Sequence, residues 1–107
     1  MQTLITPADL EEVFAAERAL LFKNSRTCPI SAMARQEMAD LLDRHPDLPI
    51  YVVDVHSSAP LAREIERRTG IEHHSPQVIV LADGEPRWHA SHYSITADDV
   101  ERAMRAA

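Results

Sequence analysis

In Ile50-Tyr51-Val52-Val53-Asp54-Val55 the first four residues are apolar at consecutive positions rather than at alternate ones. A strand with one wet face alternates, so this run predicts a strand covered on both faces, as in a parallel sheet with helices above and below. Parallel neighbours need crossover connections, which makes the right-handed βαβ unit the expected building block. The chain has 107 residues, too few to divide readily into two cores, so residues 1–107 are read as a single domain. With 45% hydrophobic and 26% charged residues it has the composition of a soluble globular protein.

The flanking segments supply the helices and the other strands. Ile5-Thr6-Pro7-Ala8-Asp9-Leu10 predicts a helix start, with Thr6 as cap, Pro7 in the first turn, Asp9 closing a capping box and Ile5 stapled against Leu10. Leu10, Val13 and Phe14 then share a helical face. Ala19 to Lys23 reads as a buried strand, and Ile30, Met33, Ala34, Met38, Leu41 and Leu42 recur at helical spacing before Pro46. Pro60 to Thr69 predicts a helix that Gly70 ends. Val78 to Leu81 and Arg87 to His92 predict a hairpin about Asp83-Gly84, and Thr96-x-x-Asp99 opens a last helix. The order αβαβαββα is that of an α/β, thioredoxin-like domain with a central mixed four-stranded sheet flanked by helices.

Between the first strand and the second helix lies Lys23-Asn24-Ser25-Arg26-Thr27-Cys28-Pro29-Ile30-Ser31, which holds the only cysteine. Pro29 suits the first helical turn, which places Cys28 at the cap, where unpaired N–H groups favour an anion. A thiolate there is stabilised relative to the thiol, so Cys28 is the candidate nucleophile. Lys23 and Arg26 are candidates to add positive potential. Ser31 stands where a second cysteine would complete C-x-x-C, and a hydroxyl cannot resolve a mixed disulfide. It can offer a hydrogen bond to the Cys28 sulfur. Such a cysteine must wait for a thiol from outside the chain.

In a thioredoxin-like domain the proline just before the third strand is usually cis and faces the active cysteine. Here that residue is Pro76, in His73-His74-Ser75-Pro76-Gln77, and Ser75 before it offers backbone groups to a docked partner.

Thr27-Cys28-Pro29-Ile30-Ser31, His73-x-Ser75-Pro76-Gln77 and Trp88-His89-Ala90-Ser91-His92-Tyr93-x-Ile95-Thr96 together closely resemble the monothiol bacilliredoxin family. Asp54-Val55-His56 fits the same pattern. The resemblance implies removal of bacillithiol from S-bacillithiolated cytosolic proteins, with Cys28 as the active cysteine and Pro76 as the cleft proline. Bacillithiol or a related low-molecular-weight thiol is then a co-substrate rather than a bound cofactor, and the partners are S-thiolated client proteins. Tyr93 stands where the family often has tryptophan, and His74 where it often has an acidic residue.

Other functions fit less well. A net charge of −6 argues against binding a phosphate backbone, and no apolar run approaches the roughly 18–20 residues a membrane span needs. A cytoplasmic address follows, where a lone cysteine stays reduced. His89 and His92 should point to opposite faces of a strand, and His73 and His74 diverge likewise, so no metal site is expected. His73 or His92 could instead tune the Cys28 thiolate. A monothiol glutaredoxin-like dimer with an iron–sulfur cluster would resemble C-G-F-S, from which Pro29 departs, and visible absorbance would identify it. A sensor that only records oxidation on Cys28 would accept a thiol once without turnover.

Overall fold

A computed structural model describes residues 1–107. The elements are β1 (Gln2–Thr3), α1 (Pro7–Ala15), β2 (Arg18–Asn24), α2 (Pro29–Arg44), β3 (Ile50–Asp54), α3 (Ala59–Thr69), β4 (Gln77–Ala82), β5 (Glu85–Ser91) and α4 (Ala97–Ala106). A single 3-10 turn, His92–Ser94, precedes α4. The strands form one mixed sheet in the order β1-β3-β2-β4-β5, with β1, β3 and β2 mutually parallel, β4 antiparallel to β2, and β5 antiparallel to β4.

The expected sheet of four strands is therefore corrected to five. The added strand, β1, pairs only Gln2 with Tyr51 and Thr3 with Val52, and both its residues are exposed. Two exposed residues carry no hydrophobic period, so nothing in that stretch announces a strand. The same pairing shifts the expected staple. The Leu4 N–H continues the ladder to the Val52 carbonyl at 2.8 Å, and Leu4 is fully buried while Ile5 is 72% exposed. The rest of the α1 start is as expected: Thr6 Oγ1 accepts from the Asp9 N–H at 3.2 Å, and the Asp9 carboxylate accepts from the Thr6 N–H at 3.0 Å.

Alternate residues of β2 feed two cores. Leu20 and Phe22 pack with Ala34, Met38 and Leu41 of α2 and Val100 and Met104 of α4. Ala19 and Leu21 pack on the opposite face with Leu10 and Val13 of α1 and Leu61 and Ile65 of α3. This two-sided burial is why the central strands lack alternation. At the hairpin, Asp83 (φ 51°) and Gly84 (φ 78°) form a two-residue turn with both central residues left-handed. β2 runs outward and β4 runs inward at one end of the sheet. The segments after Asn24 and before Gln77 therefore emerge side by side.

Candidate active site

The strand β2 delivers the chain to an elbow, and Cys28 caps the helix that follows. Its carbonyl accepts from the N–H groups of Ser31 at 3.0 Å and Ala32 at 3.3 Å, while its thiol is partly exposed. The sulfur makes no formed capping hydrogen bond. Its pKa is nonetheless lowered, first by the backbone N–H of Ser31, then by that of Ile30, and least by the Ser31 hydroxyl, with desolvation opposing. The helix N-terminus is thus the main cause. Thr27 and Pro29 flank the cysteine on the surface.

Ser31 is fully buried, and its Oγ accepts from the Ser25 N–H at 3.2 Å. With that lone pair engaged, the hydroxyl proton remains available for the sulfur. Ser25 is also buried, and its own hydroxyl lies 2.9 Å from His56 Nε2 and 3.3 Å from Thr27 Oγ1. Arg35, further along α2, donates to Asn24 Oδ1 at 2.9 Å and to the Ser25 carbonyl at 3.3 Å. The elbow is tied on both sides, to α2 and to the segment after β3.

Lys23 and Arg26 have other partners. Arg26 pairs with Asp54 at 2.8 Å, and Asp54 also accepts from the N–H groups of His56 and Ser57, which hold its carboxyl below the usual range, Ser57 foremost. Lys23 is fully buried on the α1 and α3 side of β2, where its Nζ donates to Gln77 Oε1 at 2.7 Å. Neither cation is among the causes of the lowered Cys28 pKa.

Across the sheet end, the Ser75–Pro76 bond is cis. Pro76 is buried, and its carbonyl accepts from the His92 N–H at 3.0 Å, in the 3-10 turn that packs on α2. Ser75 Oγ is buried without a hydrogen-bond partner. His92 adopts φ 53°, and its ring stands edge-on to His74 with centroids 5.4 Å apart. The histidine pairing thus joins positions from two segments, which strand alternation within either segment could not indicate. His73 is held below its ordinary pKa by desolvation first and then by Lys23, against Glu66. No group of three or more His, Cys, Asp or Glu side chains is placed to hold a metal ion.

Ser25, His56, Arg35 and Gln77 are participants that sequence reasoning did not single out as site residues. Gln77 had a signal: a lysine inside an apolar strand needs a polar partner, and the residue opposite Lys23 in the β2–β4 register is Gln77. The Ser25–His56 contact had none, since 31 residues separate the pair.

A sequence model of the family described as monothiol bacilliredoxin BrxC matches residues 2–100. A solved structure described as a proposed oxidoreductase with a thioredoxin fold superposes with TM-score 0.89 at 28% identity, covering 95% of this chain and 91% of that one. Oxidised mitochondrial thioredoxin 3 from Saccharomyces cerevisiae gives TM-score 0.78 at 15% identity, over 100% of this chain and 95% of that one. Thioredoxin from Fasciola hepatica gives 0.77 at 16%, over 99% and 98%. The last two establish the fold and nothing finer.

Proposed function

Because the chain belongs to the monothiol bacilliredoxin BrxC family, a family of thioredoxin-fold redox proteins, we propose that it removes bacillithiol, or a similar low-molecular-weight thiol, from mixed disulfides on cytosolic proteins. The observation that carries this reading is the combination of a lone thiol at a helix cap with a buried serine in the resolving position. The Cys28 thiolate attacks the small-thiol sulfur of the client mixed disulfide. The bond between client and small thiol breaks, a Cys28–small-thiol disulfide forms, and the client leaves as a thiolate that takes a proton. A second small-molecule thiolate then attacks the small-thiol sulfur of this adduct. That step releases the symmetrical small-molecule disulfide and restores the Cys28 thiolate. The Ser75–Pro76 segment is the edge on which the client backbone docks, by strand-like pairing.

Intact mass after incubation with oxidised bacillithiol tests the chemistry. The expected result is one small-thiol adduct per monomer, none on Cys28→Ser, and rapid loss of the adduct on Ser31→Cys as an intramolecular disulfide forms. Removal of the thiol from a client by Cys28→Ser would overturn the assignment of the nucleophile. An adduct on Ser31→Cys as persistent as the parent's would overturn the geometry assigned to the elbow.

A further inference from the structure

The segment Ile71–Ser75 makes no hydrogen bond between main-chain groups, so side chains must hold it. The Ile71 N–H reaches Thr69 Oγ1 at 3.3 Å, the His73 N–H reaches the Glu66 carboxylate at 2.6 Å, and Gln77 Nε2 donates to the Glu72 carbonyl at 3.0 Å. Of these, the Gln77 link comes from a fully buried side chain, and its amide is oriented by a second bond. Lys23 Nζ donates to Gln77 Oε1 at 2.7 Å, and both residues are completely inaccessible to solvent. An amide whose oxygen is fixed on the lysine must turn its NH2 towards the loop. A buried lysine with no carboxylate within ion-pairing distance is unfavourable for the fold, and an apolar residue would suit β2 better. Burial lowers the Lys23 pKa to about 8, with Glu66 pulling the other way, as expected of an amine held by an amide rather than an acid.

We propose that Lys23 is a positioning residue for client docking: through Gln77 it fixes the Glu72–Pro76 segment at the end of the sheet where Cys28 emerges. This rests on the reading of Ser75–Pro76 as the docking edge. Lys23 does not touch the reacting sulfurs, so its effect belongs to the protein client and not to the chemistry of exchange.

The test uses Lys23→Met and Lys23→Met/Gln77→Met in the full chain, with an S-bacillithiolated protein as client. Lys23→Met is expected to raise the client KM about tenfold with kcat little changed, the pattern of lost docking. Amide exchange at Glu72–Ser75 should speed up in the same variant, a readout independent of activity. The single variant leaves Gln77 Oε1 buried without a donor, which also lowers stability. The double variant removes both partners and should regain stability, yet keep the raised KM and fast exchange, because the Glu72 carbonyl has still lost its anchor. A double variant that recovers the parental KM along with its stability would show Lys23 to be merely structural. Parental KM and exchange in Lys23→Met would overturn the proposal outright. If the parent protein fails to act on the client, the docking reading falls, and with it the role assigned here. The exchange rates then still decide whether Lys23 holds the loop.

Discussion

Replacing Ser31 by alanine separates two roles that one hydroxyl performs. Ser31 is fully buried, and its Oγ accepts the N–H of Ser25, itself only 5% exposed. Removing that oxygen leaves a buried backbone donor without a partner, a loss of about 1–3 kcal/mol. The bond is long at 3.2 Å, which points to the lower half of that range. Alanine also has the better helix propensity in the first turn of α2, which returns up to about 0.5 kcal/mol. The net expectation is a destabilisation of about 0.5–2 kcal/mol, read by denaturant unfolding. The effect on the thiol is of a different size. The two leading causes of the lowered Cys28 pKa, the N–H groups of Ser31 and Ile30, survive the substitution, and only the smallest contribution is lost. Ultraviolet thiolate absorbance against pH should therefore show a pKa higher than the parent's but still below the free-cysteine value of about 8.5. A midpoint at or above that value would refute the primacy of the helix terminus. Unchanged stability would refute the Ser25–Ser31 hydrogen bond.

The remaining predictions concern the frame around the site. Lys23 has a folded pKa of about 8 against an ordinary 10.5, so between those values the unfolded chain holds a proton that the folded chain has released. Stability should accordingly rise with pH from about 8 to about 10.4, most cleanly in a Cys28→Ser background, and Lys23→Met should lose that rise. A flat parental curve would show that the amine is not desolvated. At the first strand, Leu4→Ala should cost about 2–5 kcal/mol and Ile5→Ala about 0.5 kcal/mol or less, since only the former vacates a buried site. Equal losses in thermal unfolding would restore Ile5 as the staple.

What the sequence discloses follows the range of the forces involved. Helix caps, the hairpin turn and the doubly buried strands rest on neighbours a few residues apart, so Thr6 with Asp9, Asp83 with Gly84 and the Ile50 run are all legible. Cys28 is legible for the same reason, because a cap and its helix are adjacent. β1 escapes notice because its pairing depends wholly on β3, some fifty residues away. Lys23 is misplaced for a related reason. Its closeness to Cys28 along the chain suggests a role at the sulfur, but strand alternation sends it to the face shared with Leu21, towards Gln77.

The half motif at the elbow makes sense once Ser31 is seen as an acceptor as well as a missing thiol. A cysteine in its place would bring a second sulfur within reach of any disulfide on Cys28, but sulfur is a weak acceptor for the Ser25 N–H. Serine reverses both properties. It keeps the elbow closed through the Ser25 bond, leaves its proton for the Cys28 sulfur, and removes the internal route for clearing a mixed disulfide. On the proposed function, the lifetime of the adduct then depends on the concentration of external thiol rather than on the protein. Raising the concentration of the small thiol should therefore shorten that lifetime in proportion for the parent protein. A Ser31→Cys variant should clear its adduct at a rate independent of that concentration.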